Sequence, residues 1–204
     1  MTKIKAIIID FGGVILRTED RGPRTHLANG YGLTYQELDD IVFSSASSKQ
    51  AALGKISSDL HWNQVCSELH INPLMKDKLI ADFFAGDQLD WKLIKYLQKN
   101  NKLFQIALLS NAWDDLRHHL EFEWKFAHIF EIMVISAEVG LAKPDPKIFE
   151  YTLDRLGVVA GEAIFIDDFL ENIQVACELG LNVIHFQNFS QLKNEITRML
   201  YGVV

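Results

Sequence analysis

Asp10 follows the apolar run 6–9 and precedes Phe11-Gly12-Gly13. A pair of carboxylates, Asp167-Asp168, closes a second apolar run, 163–166. Ser110-Asn111 closes a third run at 104–109, and Lys143 stands just before Pro144-Asp145. A carboxylate can attack phosphorus and form an aspartyl-phosphate. Three crowded carboxylates repel one another and take up protons unless a cation lies among them. An oxygen-only set suits Mg²⁺, which is held by one or two carboxylates plus a substrate phosphate. Lys143 adds a fixed positive charge and Ser110 a donor to a phosphoryl oxygen. Phosphoryl transfer asks the protein mainly for positioning and charge stabilisation.

These residues meet only if the elements before them end at one edge. Short, wholly apolar runs are the pattern of strands buried on both faces of a parallel sheet. The pattern predicts strands at about 4–10, 104–109, 129–135, 163–167 and 183–186. Helices are expected between them. Leu89, Leu93, Ile94 and Leu97 suggest one that stops at Asn100-Asn101, and residues 113–126 read as another. Asp145-Pro146 caps a helix that ends at Gly157, and Ile173, Ala176, Cys177 and Leu179 form one closed by Gly180. Ser190 is expected to cap a terminal helix. Strands alternating with helices predict an α/β fold, a doubly wound parallel sheet of Rossmann-like type. Ligands in such sheets bind outside the carboxyl ends of the strands. Asp10, Ser110, Asp167 and Asp168 would converge there, with Lys143 beside them.

Residues 17–86 differ in character. They read as helices without a strong strand signal. Thr34 and Glu37 have capping-box spacing, Trp62, Val65, Cys66 and Leu69 share one helical face, and Asn72-Pro73 opens a further helix. The expected organisation is a core of 1–16 and 87–204, with a helical-bundle cap at 17–86.

The chain has 204 residues and a net charge of −7, with no run of Lys or Arg. That balance points away from nucleic acid. No stretch reaches membrane-spanning length. The run after Lys3 and Lys5 is cut short by Asp10, unlike a signal peptide, so the expected address is the cytoplasm. Cys66 and Cys177 are expected to be two buried free thiols in a reducing compartment.

The four stretches resemble, in order, the motifs of the haloacid dehalogenase superfamily of phosphohydrolases, over about residues 4–181. The resemblance implies Asp10 as nucleophile and metal ligand, with Ser110, Asn111 and Lys143 holding the phosphoryl group. It implies Asp168 as a direct Mg²⁺ ligand, Asp167 as a ligand or its supporting partner, and the Gly12 carbonyl as a further ligand. The implied reaction is Mg²⁺-dependent hydrolysis of a small phosphorylated metabolite through an aspartyl-phosphate. One position departs from the pattern. Phosphatases of the family usually carry a second aspartate, an acid and base, where Gly12 stands. Two alternatives follow: a weak member that binds a phosphorylated ligand or protein partner, and a metal-independent 2-haloacid dehalogenase. Adjacent Asp167 and Asp168 argue against the second.

Other candidates read as structural. Arg17, Arg21 and Arg24 read as surface arginines, Trp113 as core, and His118-His119 as a solvated helix face. Gly13 and Asn111 are either backbone donors to phosphate or turn formers. Glu171 and Asn172 resemble residues that hold the loop after the last carboxylate pair.

Overall fold

A computed structural model describes residues 3–201. Five strands, β1 (Ala6–Ile9), β4 (Gln105–Ser110), β5 (Ile132–Ile135), β6 (Ala163–Asp167) and β7 (Asn182–His185), form one sheet in the order β5-β4-β1-β6-β7. Every pairing in it is parallel. Two short strands, β2 (Leu16–Thr18) and β3 (Asp87–Leu89), form a separate antiparallel ribbon.

Between β2 and β3 lie five helices: α1 (Gly22–Gly30), α2 (Tyr35–Phe43), α3 (Ala46–Ala52), α4 (Ser58–Glu68) and α5 (Lys76–Phe84). Their starts follow local chemistry. Thr34 and Glu37 form both arms of the capping box before α2, and the Ser57 hydroxyl accepts from the Leu60 N–H before α4. These helices bury a cluster of their own, including Leu38, Val42, Trp62, Val65, Leu79 and Phe83.

The remaining helices are α6 (Trp91–Asn100), the one-turn α7 (Leu116–His118), α8 (Ser136–Val139), α9 (Pro146–Leu156), α10 (Leu170–Glu178) and α11 (Phe189–Tyr201). β1 is the axis of the core. Ile7 and Ile9 join the cluster under α6 and α11, while Ala6 and Ile8 join the cluster under α9 and α10. Burying each isoleucine contributes on the order of 2 kcal/mol, and this packing adds to the pairing with β4 and β6 to anchor the strand that leads into Asp10. The fold is the expected α/β type. From β1 the chain builds outward through β4 and β5, then crosses to β6 and β7 on the other side. Ligand crevices form where strand order reverses in this way, here between β1 and β6.

The structure corrects several expectations. The ribbon of β2 and β3 was not anticipated, and Leu89 lies in it rather than in α6. Residues 113–126 are not one helix: α7 gives way to a wide π turn at His119–Glu123, and Lys125 takes a left-handed φ of 59°. Trp124 instead stacks on Phe11 at 5.4 Å, which ties this segment to the core. Asn72 caps a single 3₁₀ turn, with α5 starting at Lys76. The terminal helix begins before Ser190, and Asn188 Oδ1 accepts from the Gln191 N–H. Cys66 is buried as expected, but Cys177 is exposed, because α10 turns Ile173 and Ala176 inward and leaves position 177 outside.

Candidate active site

β1 delivers Asp10 to the sheet edge, where its N–H still pairs with Ile166 O at 2.9 Å. The chain then reverses tightly. Ile15 N–H and Leu16 N–H both donate to Phe11 O, and Gly13 N–H donates to Leu16 O at 2.9 Å. The Gly13 N–H is therefore committed to the turn, which makes Gly13 a turn former. Gly13 has φ +74°, and a Cβ there would fall 2.1 Å from Asp168 Oδ2. Only glycine lets β1's loop and β6's loop come this close.

β6 ends in Asp167, and Asp168 follows on the loop to α10. Asp167 is fully buried and bonded on all sides. Its Oδ1 accepts from Phe169 N–H at 2.7 Å, Asn172 Nδ2 reaches both oxygens at 3.1 Å, and Lys143 Nζ donates to Oδ2 at 2.6 Å. Asp168 Oδ1, in contrast, is buried without a hydrogen-bond partner. Carboxylate oxygens of Asp10, Asp167 and Asp168 lie within 4.8 Å of one another. A crowded oxygen set with one buried oxygen unsatisfied has the composition of a hard-cation site.

Lys143 comes from the loop before α9 and is buried with its Nζ 2.9 Å from Asp10 Oδ1. Asn111 holds it there: Asn111 Nδ2 donates to Lys143 O and Lys143 N–H donates to Asn111 Oδ1, both at 2.8 Å. The Asn111 side chain thus positions the lysine. Asp145 caps α9 by accepting from Lys147 N–H at 3.0 Å, fixing the other end of the loop. Ser110 is the buried last residue of β4, the strand paired directly with β1. Ser136 Oγ accepts from Ala112 N–H at 3.0 Å and steadies the turn after Ser110. No helix starts at Trp113, so Ser110 is not its cap.

Burial pushes the Asp10 carboxyl up to about 7, against the pull of Lys143, and the Asp167 charge adds to the rise. Burial pushes Asp168 upward too, again helped by Asp167. For Lys143, burial alone would lower the ammonium, but Asp10 and Asp167 outweigh it and the net shift is upward. Without a cation, the buried Asp10 and Asp168 carboxyls therefore hold protons more readily than free carboxylates do.

The structure brings Asp10, Lys143, Asp167, Asp168 and Asn172 together, with Ser110 at the end of β4 and Asn111 and Gly12 on the turns after β4 and β1. Glu171 is exposed, away from the bonds that hold Asp167. Arg24 is not a surface residue. It is buried against Asp39 at 2.6 Å and Asp87 at 3.0 Å, tying α1 and α2 to β3. Arg17 bonds Asp90 at 3.0 Å, and Arg21 lies over the Tyr35 ring. Trp113 packs into the helical cluster, stacked on Phe43 at 5.9 Å. His118 is exposed and packs its ring on Phe122 at 4.9 Å. Sequence reasoning missed His185, whose Nε2 donates to Asp168 O at 2.9 Å. Its one signal was a place at the end of the strand beside β6.

A model of haloacid dehalogenase-like hydrolases matches residues 4–180 of the chain. The chain belongs to that family. This haloacid dehalogenase-like hydrolase is 24% identical to D-ribitol-5-phosphate phosphatase of Bacteroides thetaiotaomicron, over 97% of this chain and 98% of that one. It is 38% identical to mouse acyl-CoA dehydrogenase family member 10 over 91% of its own length, though it spans only 16% of that longer protein. In fold it is similar to a family enzyme from B. thetaiotaomicron solved with magnesium and inorganic phosphate, with a TM-score of 0.76, 24% identity and coverage of 93% and 98%. It is also similar to a family hydrolase from Porphyromonas gingivalis, with a TM-score of 0.78, 19% identity and coverage of 98% and 99%.

Proposed function

We propose that this chain hydrolyses a small phosphate monoester with Mg²⁺ and that Asp10 is the nucleophile. The observation that carries the reading is the unpartnered Asp168 Oδ1 beside Asp10 and Asp167, with Lys143 between the last two. The phosphatase name of the B. thetaiotaomicron relative and the magnesium and phosphate in the similar structure support it.

Asp10, Asp168 and the Gly12 carbonyl would hold Mg²⁺, with Asp167 behind them. When bound, the ion neutralises the carboxylates and polarises the phosphoryl oxygens. An Asp10 oxygen then attacks phosphorus, the phosphorus–oxygen ester bond breaks, and the alcohol leaves with a proton. Water next attacks the aspartyl-phosphate, releasing phosphate and restoring the carboxylate. Lys143 balances charge and donates to a phosphoryl oxygen, and Ser110 adds a donor. Asn111 and Asn172 act one step back, on Lys143 and Asp167. Gly12 offers no side chain to move the alcohol's proton, so that role falls to the substrate, to water or to the helical segment.

Helices α1–α5 act as a cap on the β2–β3 ribbon, excluding water and choosing the substrate. The relative's name suggests a phosphorylated polyol or a similar small metabolite. Among the described residues no helix is long and apolar enough to cross a membrane. With free thiols at Cys66 and Cys177, we place the chain in the cytoplasm.

Phosphate release from a panel of small monoesters, with Mg²⁺ and with chelator, tests this reading. Release that needs Mg²⁺ is the expected result. Ligand-induced stabilisation without release would favour the weak-binder alternative suggested by Gly12. Halide release that survives chelation would favour a dehalogenase.

A further inference from the structure

Asp167 and Asp168 are neighbours in sequence, yet they are held in opposite ways. Asp167 is fixed through its carboxylate by Lys143, Asn172 and the Phe169 N–H. Asp168 keeps Oδ1 free of protein partners, so the direction of that oxygen depends on its main chain. The donor on the Asp168 peptide is His185 Nε2, at 2.9 Å from the carbonyl.

His185 is well placed for this. It ends β7 directly opposite Asp167 in the parallel register, and the next residue, Phe186, donates its N–H to Asp167 O at 2.8 Å. The His185 carbonyl is itself held by Gln191 Nε2 of α11 at 3.1 Å, and the same Gln191 nitrogen donates to Glu195 Oε1. A carbonyl oxygen can only accept, so Nε2 carries the hydrogen in this contact. On its other side, Asp168 leans on the bare Cα of Gly13.

We infer that His185 is a positioning residue that fixes the Asp168 peptide and so aims Oδ1 at the cation, setting Mg²⁺ affinity. This rests on the metal reading proposed above. Partners that orient a metal-binding carboxylate without touching the metal typically change affinity ~10–100-fold when removed. His185 is exposed, so its substitution leaves the core packing intact.

The test is Mg²⁺ titration by calorimetry, without substrate, on wild type, His185→Leu and His185→Gln. His185→Leu removes the donor, and His185→Gln retains an N–H at about the same reach. The expected result is Mg²⁺ binding weakened ~10-fold or more in His185→Leu and restored to within about threefold in His185→Gln. Turnover at saturating Mg²⁺ should stay within about threefold of wild type in both, since the residue does not touch the reacting atoms. Wild-type binding with an unchanged His185→Leu overturns the inference alone. So does equal loss in both variants, because the hydrogen bond would then not be the cause. A wild type that binds no Mg²⁺ overturns the metal reading and this inference with it.

Discussion

Lys143 Nζ lies 2.9 Å from Oδ1 of Asp10, and both groups are almost wholly buried. The same nitrogen is 2.6 Å from Asp167, so one ammonium is shared by two carboxylates from different strands. Lys143→Met would leave these two charges facing each other with nothing between them. Removing a preorganised charge of this kind lowers kcat by ~10²–10³-fold. Lys143→Arg should recover little, because the site is fitted to one compact nitrogen. Steady-state kinetics on both variants check this. Full activity in Lys143→Arg would show that charge alone is required.

The space at Gly12 makes a gain of function testable. A Cβ built there meets nothing within 4 Å. Gly12→Asp should therefore fold normally and supply, two residues after Asp10, the acid and base that the proposed mechanism lacks there. General acid–base catalysis is worth ~10²–10⁴-fold, so a kcat gain of ~10-fold or more is expected from this unrefined addition. An unchanged or lower kcat in a well-folded variant would mean that proton transfer already has another agent.

Asp10 predicts a pH-dependent metal effect. In the metal-free chain its folded value, about 7, lies above the ordinary 3.8. The folded state therefore binds the extra proton. The stability from this group is present below about pH 4 and is lost as pH rises through about 7. Mg²⁺ competes with that proton and relieves the repulsion. Its thermal stabilisation should be larger at about pH 8 than at about pH 5.5. Scanning calorimetry with and without Mg²⁺ measures it, and a shift independent of pH contradicts it.

Much of the site was legible because its strands are extreme. Residues 6–9 and 163–166 are apolar throughout, and a run of that kind ending in aspartate fits best at the carboxyl edge of a buried sheet. The β2–β3 ribbon was not legible, since three-residue strands are too short for alternation to register. Residues 113–126 misled because the helical segment stops at Glu123: Lys125 takes a left-handed φ, and Trp124 is held by Phe11, far away in sequence. Arg24 and His185 failed for one reason. A single polar residue carries no sign of burial or partner until the chain is folded. Asn172 did carry a sign, through its resemblance to loop-holding residues, and its amide lies on Asp167.

Arg24 yields a stability prediction. It is 3% exposed, packs over the Phe83 ring at 3.9 Å and bonds Asp39 and Asp87. Removing one partner of a buried pair costs ~3–5 kcal/mol, because Asp87 stays largely buried without its cation. Arg24→Met should lower Tm by ~10 °C. Burial already pushes Asp87 upward. Without Arg24 it takes a proton more readily, so the loss should be smaller at about pH 5 than at about pH 8. Thermal melts at both values decide the matter, and a Tm within ~2 °C of wild type would contradict the structural role.

Whether Asp10 carries the phosphoryl group is best decided by borohydride trapping. Enzyme turning over an aryl phosphate with Mg²⁺ is quenched into borohydride, which reduces an aspartyl-phosphate to homoserine, and the chain is mapped by peptide mass spectrometry. The expected product is homoserine at position 10 alone, dependent on substrate and Mg²⁺ and absent in Asp10→Asn. Homoserine at another aspartate, or turnover that persists in Asp10→Asn, would rule out Asp10 as the nucleophile.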